Sequence, residues 1–192
     1  MIVCDLGFMT RKQRYRLTYL FRLYDYDRNG CLDVDDIASV IDKVEERMTS
    51  MEALERWNYE KVVVKAVKFF HRLLREIPND GQHQIELSRW IEFFEAQMDE
   101  DDTLEEYVGL MINFMFDLFD EDHDGYISEE EYEFFYEIFD IDKASFQKAF
   151  SNLDLNNDNR VSRYEMIRQL EAYFMDDMPG EDNNEVFGRL DG

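Results

Sequence analysis

Residues 120–131, DEDHDGYISEEE, put seven carboxylates and one glycine into twelve positions. That many like charges in one turn repel one another unless a cation compensates them. Oxygen-bearing side chains fall at positions 1, 3 and 5 (Asp120, Asp122, Asp124), and Gly125 takes position 6, where a sharp turn needs positive φ. Position 7 needs only a backbone carbonyl, which Tyr126 supplies. Ile127 at position 8 points inward, Ser128 at 9 can hold a bridging water, and Glu131 at 12 offers two oxygens. The chemistry is that of a hard-oxygen cage suited to Ca2+.

The template recurs, and the pattern is that of the EF-hand loop. DYDRNGCLDVDD places Asp25, Asp27, Asn29, Gly30, the Cys31 carbonyl, Leu32, Asp33 and Asp36 in the same slots. DLNNDNRVSRYE places Asp154, Asn156, Asp158, Asn159, the Arg160 carbonyl, Val161, Ser162 and Glu165. Asn159 stands for glycine, and asparagine tolerates the left-handed conformation. Asp36 is one methylene shorter than the usual glutamate, so the first loop is expected to be the most Mg2+-competent of three Ca2+ sites. EF-hands pair through a short strand at positions 7–9, and three loops require a fourth. Aligning Ile85 with position 8 gives PNDGQHQIELSR, residues 78–89. Only Asp80 and Glu86 remain there as carboxylates, and Arg89 at position 12 opposes a cation. This hand keeps the fold and is expected to be empty of metal, with Ile85 opposite Leu32 and the Gln84–Glu86 backbone along Cys31–Asp33.

Helices must carry these loops. Tyr24, Ile77, Phe119 and Leu153 precede the loops by one residue, and Phe21, Leu74, Phe116 and Phe150 by four. Ile37, Trp90, Tyr132 and Met166 follow position 12, with Ile41, Phe94, Tyr136 and Leu170 four further on. These recurrences are the apolar stripes of entering and leaving helices. The fold class is all-α: two paired EF-hand lobes, four helix-loop-helix units with one degenerate, packed into a compact globule. The expected division is residues 1–98 and 99–192. Loops start at 25, 78, 120 and 154, so the first gap is long and its helices are extended or interrupted. Thr10 with Gln13 makes a capping box for the first helix, and acidic residues 95–108 read as a short connection between halves.

Net charge is −24, which disfavours nucleic acid and anionic membranes as general partners. No stretch reaches the ~18 apolar residues of a membrane span. Cys4 and Cys31 form no disulfide framework, the opening MIVCDLGFMTRKQR is too weakly apolar for a signal peptide, and Ile2 is not the glycine of N-myristoylation. The expectation is a cytoplasmic monomer. The cations of the first helix (Arg11, Lys12, Arg14, Arg16, Arg22) read as offsetting the protein's own negative surface, and Trp57 and Trp90 as core. No phosphate-binding loop, nucleophile set or zinc spacing is present, so an enzyme is not expected.

The length, the long first gap, YLFRLYDYDRNGCLDVDDI, MINFMFDLFDEDHDGYISEEEY and the ending NNEVFGRLDG together resemble the sarcoplasmic calcium-binding proteins, with calexcitin as a close relative. The resemblance implies two closely packed lobes, an empty hand in some members, and a cytosolic Ca2+ buffer. Through calexcitin it also implies an alternative, a Ca2+ sensor acting on a protein target. Family members share a Phe-Gly-x-Leu near the C-terminus, which places Phe187 and Leu190 as a plug between lobes. Of ten methionines only Met111, Met115 and Met166 lie on stripes flanking loops, against many rings, which favours a fixed core. Calcium-regulated photoproteins share this outline and hold coelenterazine peroxide in an internal cavity with His, Trp and Tyr groups, including a histidine near the C-terminus. Here the only histidines are His71, His83 and His123, the last two in loops.

Overall fold

The computed structural model describes residues 9–50, 59–79, 81, 83–97, 101–175 and 187. Among them are eight α-helices and four very short strands. The first hand is α1 (Arg11–Tyr24), β1 (Cys31–Leu32) and α2 (Val34–Ser50); the second is α3 (Tyr59–Glu76), β2 (Ile85–Glu86) and α4 (Leu87–Gln97). The third is α5 (Asp101–Phe119), β3 (Tyr126–Ser128) and α6 (Glu129–Ile138). A 3-10 turn (Lys143–Ser145) leads into the fourth, formed by α7 (Phe146–Leu153), β4 (Arg160–Ser162) and α8 (Arg163–Met175).

The strands pair antiparallel, β1 with β2 and β3 with β4, as the loop count required. Leu32 lies opposite Ile85 and Cys31 opposite Glu86. In the other pair Ile127 lies opposite Val161. These four position-8 residues are at most 1% exposed, so each ladder is nailed to the core by its inward-facing pair. The helix starts are equally local in origin. Thr10 and Gln13 form the expected capping box on α1, and Ser128 with Glu131 forms another on α6. Position 12 is thus both a candidate ligand and part of a helix cap.

All the stripe residues are buried except Leu74, which is half-buried against the same core. Trp90 is 1% exposed, packs 4.6 Å from the Phe94 ring, and donates its indole N–H to the Leu17 carbonyl at 3.1 Å. The two halves are joined by α3 and α4 against α5, α1 against α8 and α2 against α6. Among the polar ties across this junction is a clasp in which Asp117 on α5 takes both Lys65 of α3 and Arg163 of α8, the latter at 2.7 Å.

Two sequence expectations are corrected. Arg16 does not offset the surface charge: it is 1% exposed, donates to the Tyr173 carbonyl and lies 4.4 Å over the Tyr173 ring, tying α1 to α8. Residues 95–108 are not one connection, because α4 continues to Gln97 and α5 begins at Asp101, leaving only 98–100 between helices. Acidic residues are good enough helix formers for both ends to extend inward. Cys4, Trp57, Asp80, Leu190 and the Met111 side chain lie outside the described residues.

Candidate metal centre

All four loops share two left-handed backbone positions. Position 4 is left-handed in each (Arg28 φ 60°, Gly81 76°, His123 60°, Asn157 59°), and so is position 6 (Gly30 89°, His83 58°, Gly125 87°, Asn159 64°). The second loop therefore keeps the EF-hand path with its ligands gone, which fixes its register at 78–89. In the other three, the odd-numbered side chains fold back on the chain. Asp27 accepts from the Asn29 N–H at 2.9 Å, Asp122 from Asp124 at 3.0 Å and Asn156 from Asp158 at 2.8 Å.

Position 1 is where a cation registers. The Gly30, Gly125 and Asn159 N–H groups each donate to one oxygen of Asp25, Asp120 and Asp154, at 3.0, 3.3 and 2.9 Å. The other oxygens of Asp25 and Asp120 are buried with no hydrogen-bond partner. A desolvated anionic oxygen without a donor costs several kcal/mol in order of magnitude; a cation in the loop removes that cost. Burial raises the Asp25 carboxyl, and burial together with the Glu131 charge raises that of Asp120. Oxygens of Asp25, Asp27 and Asp36 converge within 4.8 Å of one another, as do those of Asp120, Asp122 and Glu131. The fourth loop has only two carboxylates at the matching positions, with the neutral Asn156 between them, and its Asp154 inner oxygen accepts from the Asp158 N–H at 3.1 Å.

Position 12 closes each loop alike. Glu131 accepts from the Glu121, Asp122 and Ser128 N–H groups at 2.7, 3.5 and 2.8 Å. Glu165 accepts from Leu155, Asn156 and Ser162 at 3.1, 3.2 and 2.8 Å. Asp36 reaches the equivalent donors of Tyr26, Asp27 and Asp33 at 2.8, 3.2 and 2.9 Å despite its shorter side chain. The first loop has contracted around it, and Asp36 is 1% exposed. Burial raises the Asp36 carboxyl. Burial pushes Glu165 the same way, but the Ser162 hydroxyl and the loop N–H groups outweigh it and hold that carboxyl below the usual range.

At position 5, Asn29, Asp124 and Asp158 accept from the Cys31, Tyr126 and Arg160 N–H groups at 2.8, 2.8 and 3.2 Å. Asp33 at position 9 is engaged from the empty hand: the Gln84 amide donates to its Oδ2 at 3.0 Å. Sequence reasoning missed this contact. Its signal was a long polar residue at position 7 across the ladder from position 9. Arg89, at position 12 of the second hand, lies 3.4 Å from Glu92 on its own helix.

The EF-hand domain pair family matches residues 14–137 and 110–171. Among solved structures, a sarcoplasmic calcium-binding protein from amphioxus superposes with a TM-score of 0.72 at 13% identity, over 94% of this chain and 98% of that one. The calcium-loaded apo form of the coelenterazine-binding protein from Renilla muelleri gives 0.71 at 16% identity, over 94% and 99%. A Streptomyces coelicolor calcium-binding protein gives 0.66 at 18% identity, over 84% and 97%. At these identities the shared property is the fold.

Proposed function

The chain belongs to the EF-hand domain pair family, and from that premise we propose that it binds three Ca2+ and acts chiefly as a cytoplasmic calcium buffer. The first ion is held by Asp25, Asp27, Asn29, the Cys31 carbonyl, Asp33 and Asp36. The second is held by Asp120, Asp122, Asp124, the Tyr126 carbonyl and Glu131, and the third by Asp154, Asn156, Asp158, the Arg160 carbonyl and Glu165. The observation that carries this reading is the pair of buried, unpartnered oxygens on Asp25 and Asp120. The contracted first loop supports Mg2+ competition there, since a smaller six-coordinate ion needs only one oxygen of Asp36. Three divalent ions reduce the formal −24 to −18, so the loaded surface stays acidic and unsuited to anionic partners.

Buffering is favoured over sensing by what fills the groove of the C-terminal pair. A sensor opens a methionine-rich groove on loading. Here Phe187, 1% exposed, sits among Met115, Phe119, Phe135, Met166 and Leu170, and its carbonyl accepts from the Tyr19 hydroxyl at 2.7 Å. The space left beside it is about 10 Å³, room for one water at most. His71, His83 and His123 are all exposed, which also disfavours a photoprotein chemistry.

Calorimetric titration of chelator-stripped protein tests the count, and a hydrophobic column tests the role. Three sites with no Ca2+-dependent retention is the expected result. Two sites or four would overturn the count, and retention of the loaded form would move the assignment to a calexcitin-like sensor.

A further inference from the structure

The fourth loop differs from the third in how its position-5 carboxylate is held. In the third loop, Asp124 accepts the Tyr126 N–H through one oxygen, and among the described residues the other has no hydrogen-bond donor. In the fourth, Asp158 Oδ1 accepts the Arg160 N–H, while Oδ2 faces two more donors: the Asn156 amide at 3.2 Å and Arg160 Nε at 3.4 Å. The Arg160 guanidinium also lies 3.8 Å from the centre of the Tyr126 ring. That placement follows from the ladder. Ser128 is opposite Arg160 and Tyr126 is opposite Ser162, so Tyr126 and Arg160 are diagonal neighbours on one face. The ring holds the cation beside Asp158.

We propose that the Arg160 side chain is a built-in competitor for the cation of the fourth loop, setting its affinity below that of the third. This rests on reading the fourth loop as a Ca2+ site. The carbonyl of Arg160 faces the ion while its side chain opposes it, and the two roles are separable by mutation. The ion pair itself is exposed, 46% and 36%, and adds little to stability. Its effect is on the ion. Charge on the guanidinium remains when Asp158 swings to a cation, and Arg160 Nε starts only 3.4 Å from an oxygen that must coordinate it. A unit charge about 6 Å from a divalent ion weakens binding about tenfold even in a water-like dielectric. The fourth loop also begins with fewer carboxylates, three against seven in the third, so one cation cancels a larger share of its field. The protein then holds sites of graded strength, the third loop filling before the fourth, and its buffering range is wider than that of identical loops.

The test is a Ca2+ titration of the full chain followed at single backbone amides, Asn159 for the fourth loop and Gly125 for the third. At low salt, Arg160→Gln should tighten the Asn159 response about tenfold, more than the Gly125 response across the shared ladder, and leave the Gly30 response of the first loop unchanged. Arg160→Lys, which keeps the charge, should stay close to the parent. Raising salt should shrink the gain, because a screened charge repels less. An absent or reversed gain, a gain indifferent to salt, or a lysine variant that behaves like the glutamine would each overturn the proposal. The unchanged Gly30 response controls for folding. No Ca2+ response at Asn159 in any variant would instead refute the fourth loop as a site, with the first and third still readable at Gly30 and Gly125.

Discussion

Phe187→Ala separates a sealed core from a usable groove. The ring is 1% exposed, 5.6 Å from Tyr173 and 6.1 Å from Phe135, between the helices that leave the third and fourth loops. A phenylalanine buries roughly 150–250 Å², worth about 4–6 kcal/mol at 25 cal/mol per Å². Core Phe-to-Ala truncations cost about 3–5 kcal/mol. Against this stands the cost of ordering tail backbone, about 1–2 kcal/mol for each residue fixed. Phe187 is also tied by the Tyr19 hydroxyl on its carbonyl, worth about 1 kcal/mol. Removing the ring therefore takes away most of the docking energy, and the tail should release while the helices stay folded. The assay is hydrophobic-dye fluorescence and column retention of the Ca2+-loaded protein, with far-UV circular dichroism as the control. The variant should bind dye and be retained; the parent should do neither. A parent that binds dye as strongly, or a variant that still excludes it, would refute the plug.

Asp36→Glu should raise the preference of the first loop for Ca2+ over Mg2+, measured by competitive titration at the Gly30 amide; an unchanged ratio counts against the contracted-loop account. Ile85→Asp puts a carboxylate at a 0%-exposed position opposite Leu32 and should weaken Ca2+ binding in the first loop although it touches no metal, whereas Arg89→Glu should create no site. The pH dependence of the chelated protein should have two limbs. Asp25, Asp36 and Asp120 have raised folded-state pKa values, so their contribution is present at low pH and lost as pH rises through those values. Stability should therefore increase on acidification from neutrality. Burial would raise Asp117 too, but Lys65 and Arg163 outweigh it and hold that carboxyl low, so its contribution is present above about pH 3.9 and lost as pH falls through the lower folded value. Asp117→Asn should flatten that acid limb in a thermal-denaturation series; an unaltered limb would dismiss the clasp as a contributor.

What could be read from the sequence was what twelve consecutive residues decide among themselves. Positive φ at Gly30, Gly125 and Asn159, the position-12 closure, the capping box at Thr10 and the pairing of Leu32 with Ile85 all follow from spacing, because turn chemistry and a strand period of two leave little freedom. The failures concern residues whose partners lie far along the chain. Arg16 looked like any other cation of α1, and only its meeting with Tyr173, 157 residues away, makes it a core residue. The spacing pairs the Gln84 backbone with the first hand, but the reach of its side-chain amide to Asp33, 51 residues away, depends on the ladder register. Acidity at 95–108 suggests a linker, yet charge alone does not stop a helix; Gly and Pro do, and that stretch has neither.

These long-range contacts explain why a hand without ligands persists. β1 has one ladder partner, β2, and Leu32 and Ile85 are buried together beneath it. Without the second loop, Cys31 and Leu32 would present unpaired backbone groups beside a loop containing five carboxylates. The second hand retains the left-handed turns at Gly81 and His83 that deliver Ile85 to the ladder, and its Gln84 amide neutralises one lone pair of Asp33. Its loop has lost the residues that face an ion and kept those that face the first hand. Substitutions at Pro78 or Arg89 should thus leave first-loop affinity nearly intact, while Ile85 and Gln84 should govern it.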